Sequence, residues 1–259
     1  DGPLCAEQML YAACFRAMAE ISEQIGKDGS VYRAEYEKLT AVIEKFFWDE
    51  EKGAYIDSFT SGRRNVTRHA NIFAILFSVA DEKKQEKILK NVLENDEIPA
   101  ITTPYFNFFE LDVLCRMGKL TEVLDKIRSY WGGMLDLGAV TFWEEYDPSV
   151  PKEEQYDMYG DHFGKSLCHA WAASPIYFLA KYFAGLDLVN KDGVTYILKP
   201  QMQYFTELDC TLPVGSNGVV RLVWDGEILE ITPNADGGIL ELGEQKLSLV
   251  RGETRRVKI

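Results

Sequence analysis

The chain has 259 residues, of which 46 % are hydrophobic and 12 % aromatic, so it can bury a sizeable core in one or two domains. Its formal net charge of −13 argues against nucleic acid or an anionic membrane surface as a partner, because both attract clustered Lys and Arg side chains. No apolar run approaches the ~18–20 residues that a membrane span requires.

The first residues of the chain and its cysteines give two further expectations. Asp1-Gly2-Pro3 contains neither an initiator Met nor a signal peptide, which leads us to expect a processed product or an excised fragment. The five cysteines are odd in number, widely spaced and without a Cys-x-x-Cys pair. We therefore expect small buried thiols, with no metal site, disulfide framework or cofactor.

Helical periodicity extends from Leu4 to about Ala184. Gly26 and Gly118 are predicted to end two of the helices, Asp81 to cap another, and Pro175 to kink or break the last one. The predicted helices lie at about 4–25, 31–47, 67–79, after Asp81, 104–117, 121–130 and 165–184. Between the second and third helices, residues 47–55 are predicted to form a loop with a short hairpin.

Short alternating runs separated by turns replace this pattern after Gly193 and predict an antiparallel β-module. We expect a partial toroid of helical hairpins over residues 1–190 and a small antiparallel β-module over residues 191–259. Because a six-hairpin toroid needs twelve helices, the seven predicted helices imply that part of the ring lies upstream. The predicted strands are 219–224, 228–232, 238–242 and 246–250.

The stretch "TFWEEYDP" combines an indole with carboxylates in a predicted loop. Glycoside hydrolysis typically uses two carboxylates, and aromatic rings offer apolar faces to sugar C–H groups. Neighbouring side chains point in different directions on either a helix or a strand, so Glu144 and Glu145 are not expected to face one cavity. We predict a single catalytic glutamate beside Trp143; an exposed acidic turn with one buried Trp is the alternative.

Three histidines are the other candidates. His169 and Trp171 lie near the start of the last predicted helix, and "YGDHFGKS" supplies His162 with Asp161 and Tyr159. His69 and Asn71 of "RHAN" are predicted to bind loop backbone rather than substrate. No phosphate-binding loop, Gly-x-Ser-x-Gly or His-Glu-x-x-His motif occurs, which removes support for nucleotide and serine-hydrolase chemistry.

Taken together, "SYWGGMLDLGAVTFWEEYDP" and "SLCHAWAASPIYFLAKYFAGL" resemble the bacterial α-L-rhamnosidase family of glycoside hydrolases. The runs "YRAEYEKLTAVIEKFFWDEEKGAYIDS", "RHANIFAILF" and "ITTPYFNFFELDVL" look like successive hairpins of that family's (α/α)6 barrel. The β-module resembles its C-terminal β-sandwich.

The resemblance implies hydrolysis of terminal α-linked L-rhamnose with inversion. Glu144, which follows Trp in the motif, matches the family's general base, and His169 of "LCH" matches a sugar contact; Trp143, Trp171 and His162 are further expected substrate contacts. The family's general acid lies in a segment ahead of the helix that begins near Leu4, so the chain alone is expected to be inactive. We expect Glu144 and His169 to share one concave surface, and the open barrel to self-associate.

Two alternatives stay open: another (α/α)6 glycosidase, such as a glucosidase or trehalase relative, and a non-catalytic carbohydrate-binding protein. Substrate screening separates the first, and the coding sequence upstream of Asp1 separates the second.

Overall fold

The computed structural model describes residues 2–189, 195–215 and 218–259. Contacts divide the chain into two compact units, Asp1–Met117 with Trp143–Ser166, and Gly118–Phe142 with Leu167–Ile259. The predicted domain boundary at residue 190 lies outside the described residues, so it stays a prediction.

The helices of the first unit follow the sequence prediction closely. They are α1 (Cys5–Gln24), α2 (Ser30–Phe47), α3 (Arg68–Leu76), α4 (Glu82–Ile88, continued as a π-helix over Leu89–Leu93) and α5 (Pro104–Arg116). α1 packs against α2 and α3, and α3 packs against α5. Gly26 and Gly118 follow α1 and α5 with φ of +72° and +74°, the left-handed conformation that ends many helices. A short hairpin of β1 (Trp48–Asp49) and β2 (Ala54–Tyr55) separates α2 from α3.

Two local signals define helix starts in this unit, and the first of them, Asp81, acts as predicted. The Asp81 carboxylate accepts the Lys84 backbone N–H at 2.9 Å and caps α4. Pro104 occupies the first turn of α5, where a missing N–H has no helical partner to lose.

The apolar stripe of α1 is only partly covered. Met9 is fully buried, whereas Leu10, Ile21 and Ile25 are about half exposed or more. On a helix Leu10 points about 100° away from Met9, so the contacts of α1 with α2 and α3 bury one side of the stripe and leave the other open.

In the second unit one helix is longer than predicted and one is shorter. α6 (Leu120–Lys126) continues through a π-helix over Ile127–Trp131 into α7 (Gly132–Asp136). α8 (Ser174–Phe178) continues as a π-helix over Leu179–Phe183.

The prediction of a continuous helix over residues 165–184 is wrong for its first part, where the structure has loop and a 3-10 turn over Ala170–Ala172. Pro175 neither kinks nor breaks a helix; it lies in the first turn of α8, which its fixed φ favours. Hence His169 and Trp171 are loop residues ahead of the helix rather than helix residues.

The C-terminal part is a β-sandwich, as predicted. Its strands are β3 (Leu186–Leu188), β4 (Tyr196–Leu198), β5 (Leu208–Val214), β6 (Gly218–Trp224), β7 (Ile228–Pro233), β8 (Gly238–Leu242), β9 (Gln245–Leu249) and β10 (Arg255–Lys258). One sheet has the antiparallel order β10-β7-β6-β5, and the other has the order β3-β4-β8-β9. Apolar residues of both sheets are fully buried in one shared core, including Leu222 and Ile231 from the first sheet and Leu198 and Leu240 from the second.

One strand pair departs from the antiparallel expectation. β4 and β8 run parallel, with Ile197 opposite Ile239. The long connection between them passes through β5, β6 and β7 in the other sheet, and a parallel pair requires such a crossover rather than a hairpin. The predicted fold class, mainly helical with a C-terminal all-β module, is confirmed. Among the described helices, none is long and apolar enough to cross a membrane.

Candidate active site

The segment that carries Glu144 is an ordered loop. Asp147 accepts the Ser149 N–H at 2.9 Å and its hydroxyl at 2.7 Å, which forms a tight turn after Pro148. The buried Gln155 side chain donates to the Asp147 and Val150 carbonyl oxygens at 2.6 and 2.8 Å. These bonds give a loop without regular secondary structure a fixed path.

The Glu144 side chain is half-buried and held at both carboxylate oxygens. Its Oε1 accepts the Tyr159 hydroxyl at 3.0 Å, and its Oε2 accepts the Ser166 backbone N–H at 3.1 Å. The Glu144 N–H in turn donates to the Ser166 carbonyl oxygen at 2.9 Å. Both donors belong to the same unit as Glu144, so the orientation of the carboxylate is defined within that unit.

Glu145 has different partners, as the sequence predicts for adjacent carboxylates. Its Oε1 accepts the Thr102 hydroxyl at 2.8 Å, and the Tyr146 N–H donates to the Thr102 carbonyl oxygen at 3.2 Å. Glu145 therefore fastens its loop to the segment ahead of α5, while Glu144 contacts Tyr159 and Ser166.

Trp143 is only 3 % exposed and lies edge-on to Tyr156, with ring centroids 5.6 Å apart. Tyr156 stacks in turn on the exposed Phe163 ring at 6.3 Å. Because the indole is buried by other described residues, little of its face is accessible to a ligand. Its role as a sugar contact stays a prediction, and its packing supports the backbone next to Glu144.

His162 is exposed and paired. Its Nδ1 lies 2.6 Å from Asp157 Oδ1, and its ring packs edge-on to Phe163 with centroids 4.5 Å apart. The pair fixes the ring orientation and leaves Nε2 available for a hydrogen bond. His162 thus lies in the same unit as Glu144, and its role as a substrate contact stays a prediction.

Lys165 is a buried cation that the sequence analysis missed. It is 8 % exposed, and burial lowers the pKa of its ammonium, while the carboxylates of Glu145, Asp147, Asp157 and Glu144 act in the opposite direction. The ammonium partly offsets the negative charge that these carboxylates bring together. In the sequence, Lys165 is recognisable only as the residue before Ser166, whose N–H binds Glu144.

His169 and Trp171 belong to the second unit. The His169 N–H donates to the Phe142 carbonyl oxygen at 2.8 Å, and the His169 ring packs on Trp171 with centroids 4.6 Å apart. Trp171 is 55 % exposed, so an indole face is open to a ligand. The shared concave surface of Glu144 and His169 stays a prediction, because the two residues lie in different units.

The residues of "RHAN" divide between two roles. Asn71 is buried and binds the backbone of Tyr55 through both of its amide atoms, as predicted. His69 makes no such backbone bond among the described contacts; its ring packs on Phe106 at 4.2 Å, in an apolar hollow of about 420 Å³ that α1, α3 and α5 line. Burial lowers the pKa of His69.

In the described part of the chain, no group of three or more His, Cys, Asp or Glu side chains is arranged to hold a metal ion. The five cysteines are free thiols; Cys5 and Cys115 are buried as expected, whereas the expectation of burial is wrong for Cys14 and Cys168, which are exposed.

Comparisons with known proteins agree with this architecture. The family model of the bacterial α-L-rhamnosidase six-hairpin glycosidase domain matches residues 3–183. No sequence among the curated proteins matches the chain.

Among solved structures, the chain is similar to the family 78 rhamnosidase of Bacillus sp. GL1, with 23 % identity, a TM-score of 0.77, and coverage of 93 % of this chain and 26 % of that one. It is also similar to a Klebsiella oxytoca rhamnosidase with bound rhamnose, with 28 % identity, a TM-score of 0.60, and coverage of 69 % of this chain and 34 % of that one. A rhamnosidase from Dictyoglumus thermophilum gives 19 % identity and a TM-score of 0.67, with coverage of 92 % and 27 %.

The chain thus spans about a quarter to a third of the length of these enzymes. Because the family model covers well over half of the 259 residues, the chain belongs to the bacterial α-L-rhamnosidase six-hairpin glycosidase family.

Proposed function

We propose that this chain is part of a glycoside hydrolase that releases terminal α-linked L-rhamnose with inversion, and that Glu144 is its general base. One observation carries the proposal: in a chain of this family, the glutamate after the buried Trp143 has both carboxylate oxygens held by hydrogen bonds from its own unit. A general base needs such a fixed orientation toward the water that it activates.

The reaction moves one proton at each side of the sugar. Glu144 accepts a proton from water while the water oxygen bonds to the anomeric carbon. The bond from that carbon to the leaving oxygen breaks, and a general acid protonates this oxygen. Inversion requires the acid and the base to stand roughly 6.5–9.5 Å apart, so that water fits between the base and the sugar.

The general acid is proposed to come from outside these 259 residues. The carboxylates beside Glu144 have other partners: Glu145 binds Thr102, Asp147 binds Ser149, and Asp157 binds His162. The family resemblance places the acid ahead of the helix that begins near Leu4. Since acid catalysis typically contributes about 10²–10⁴-fold, the chain alone is expected to lack measurable turnover.

Substrate contacts are proposed from two places in the chain. His162 lies in the same unit as Glu144, and His169 with the exposed Trp171 lies in the second unit. Trp143, whose side chain is only 3 % exposed, is proposed to support the backbone beside Glu144 rather than to stack on the sugar. The tilted His169 and Trp171 rings form a half-exposed pair of the kind that packs against the apolar face of a sugar.

The test compares the 259-residue chain with the natural protein that contains it, using an aryl α-L-rhamnoside. Proton NMR during the first turnovers should show β-L-rhamnose as the initial product from the natural protein and no product from the chain. Initial α-L-rhamnose would contradict the inverting mechanism.

The same assay separates the alternatives. Faster cleavage of an α-glucoside or trehalose than of the rhamnoside would favour another (α/α)6 glycosidase. Binding of rhamnose without turnover in the natural protein would favour a carbohydrate-binding protein.

We also propose that the isolated chain self-associates through the open side of α1. Leu10, Tyr11, Ile21 and Ile25 expose apolar surface there, and such patches favour association in water. Light scattering should give a mass above 29.5 kDa, and Leu10→Glu with Ile21→Glu should restore the monomer. A wild-type chain that is monomeric at all concentrations would contradict this proposal.

A further inference from the structure

Tyr159 lies at the tip of a two-residue turn that holds its backbone in an unfavourable conformation. Met158 and Asp161 exchange two backbone hydrogen bonds of 3.0 Å, and the residues between them, Tyr159 and Gly160, have φ of +56° and +82°. Positive φ at both central positions is typical of a type I′ turn, in which Asn or Gly is favoured. A bulky aromatic side chain at the first position is strained.

Packing does not explain why a tyrosine occupies this position. Its side chain is 82 % exposed, so it adds little to the core. Among the described residues, its one side-chain hydrogen bond goes to Glu144 Oε1, which lies fifteen positions earlier in the sequence. The tyrosine therefore supplies a hydroxyl at the end of a side chain that is long enough to reach Glu144. Asn or Gly at the same position would lack this hydroxyl.

We infer that Tyr159 is a positioning residue for the general base, and that the strained turn places its hydroxyl against the Glu144 carboxylate. The inference rests on the proposed function of Glu144. The Ser166 N–H fixes Oε2 from the backbone, and the Tyr159 hydroxyl fixes Oε1 from the other side. Two donors on two different oxygens stop rotation of the carboxylate about its last bond, whereas one donor leaves that rotation free.

The groups around this carboxylate are consistent with a dedicated donor. The buried Lys165 and the neighbouring Glu145 are charged groups near Glu144, yet Glu145 is bonded to Thr102 and no ion pair joins Lys165 to Glu144 among the described contacts. A neutral hydroxyl can orient the base without neutralising it. The hydrogen bond and the negative charge of Glu144 raise the pKa of the Tyr159 phenol, so this donor keeps its proton over the working pH range.

Three variants of the natural protein separate the hydroxyl, the turn and an ordinary tyrosine. Tyr159→Phe removes the hydroxyl only. Tyr159→Asn creates an Asn-Gly turn and also removes the hydroxyl. Tyr32→Phe is the matched control, because Tyr32 is partly exposed on α2 and has no described hydrogen bond.

Tyr159→Phe should lower kcat on an aryl α-L-rhamnoside roughly tenfold to a hundredfold, the range for a misplaced catalytic group. KM should change less than twofold, because the base contributes little to ground-state binding. Tyr159→Asn should lower kcat similarly while raising the melting temperature by ~2–4 °C through relief of backbone strain. The Tyr32→Phe control should match the wild type in both.

A second readout needs no enzyme activity and uses the 259-residue chain. With ¹³C-labelled tyrosine, the NMR titration of Tyr159 should show a pKa above the ordinary value, and Glu144→Gln should lower it. An unchanged Tyr159 titration in Glu144→Gln would show that the contact is absent and overturn the inference.

The failures of the inference and of the proposed function are distinguishable. Wild-type kcat in Tyr159→Phe, together with loss of activity in Glu144→Gln, overturns the positioning role and leaves Glu144 as the base. A natural protein without rhamnosidase activity overturns both.

Discussion

Asn71→Leu is expected to destabilise the first unit strongly, because the Asn71 amide binds both backbone polar groups of Tyr55. Asn71 Oδ1 accepts the Tyr55 N–H at 2.8 Å, and Asn71 Nδ2 donates to the Tyr55 carbonyl oxygen at 2.9 Å. Both residues are fully buried, so water does not reach the broken bonds. Each buried backbone group left without a partner costs about 1–3 kcal/mol, and the two together predict a loss of about 2–6 kcal/mol.

Asn91→Leu is the matched control for this measurement. Its side chain makes the same kind of bond, from Nδ2 to the Lys52 carbonyl oxygen at 3.0 Å, but at an exposed position. Water replaces that bond, so the expected loss is about 0–1 kcal/mol.

Urea unfolding followed by circular dichroism measures both losses, and amide exchange at Tyr55 reports the local bond. Exchange at Tyr55 should accelerate only in Asn71→Leu. Equal losses in the two variants, or a loss below about 1 kcal/mol for Asn71→Leu, would refute the reasoning that burial decides the cost.

Three further changes test other parts of the fold. Arg68→Met should cost about 3–5 kcal/mol in urea unfolding, because it leaves the buried Glu110 carboxylate without the guanidinium 2.8 Å away. Gly185→Ala should lower the melting temperature more than Gly138→Ala: both glycines have positive φ, but only at Gly185 does a Cβ meet backbone, 2.2 Å from Lys199. Two hydrogen bonds from Arg221 lower the pKa of Asp209. This pair therefore stabilises the fold fully above the ordinary Asp pKa of 3.8, and the stabilisation is lost as the pH falls through the lowered pKa. Arg221→Gln should accordingly reduce the difference in melting temperature between pH 7 and pH 2.

Local chemistry made the helix ends readable from the sequence. Gly26, Gly118 and Gly185 each end a helix with positive φ, and Asp81 caps α4 with its own carboxylate. These signals act within a few residues, so no tertiary information is needed to place them.

The start of α8 was hidden because tertiary bonds override the local pattern. "LCHAWAA" continues the apolar helical pattern, yet the His169 N–H bonds to the Phe142 carbonyl oxygen, and the Trp131 indole N–H donates to the Ala172 carbonyl oxygen at 2.8 Å. Partners some 27 and 41 positions away along the chain hold this stretch as a loop, and periodicity within a short window contains no trace of them.

Strand β5 was missed for a related reason. It contains Pro213, and a proline argues against a central strand. β5 is the edge strand of its sheet, paired with β6 alone, so Pro213 has a place there without removing a needed donor from the interior. Strand order, which the sequence does not state, decides whether that proline is tolerated.

Only some of the residues in the candidate site could be predicted from the sequence. Glu144 was predicted from a short motif and a resemblance, and the different partners of Glu145 follow from backbone geometry. Tyr159 was named only beside His162, and its hydrogen bond to Glu144, that of Ser166 and the burial of Lys165 were not predicted, because they depend on how the chain turns back on itself. "YG" at residues 159–160 was the one local sign, since a left-handed turn favours Gly at its second central position.

The central claim is that Glu144, and not its neighbour, removes the proton from water. The most direct measurement is kcat of the natural protein on an aryl α-L-rhamnoside for Glu144→Gln against Glu145→Gln, two identical changes at adjacent positions. Glu144→Gln should lower kcat by roughly 10²–10⁴-fold with an unchanged melting temperature, and Glu145→Gln should stay within tenfold of the wild type. Activity within tenfold of the wild type in Glu144→Gln would contradict the account.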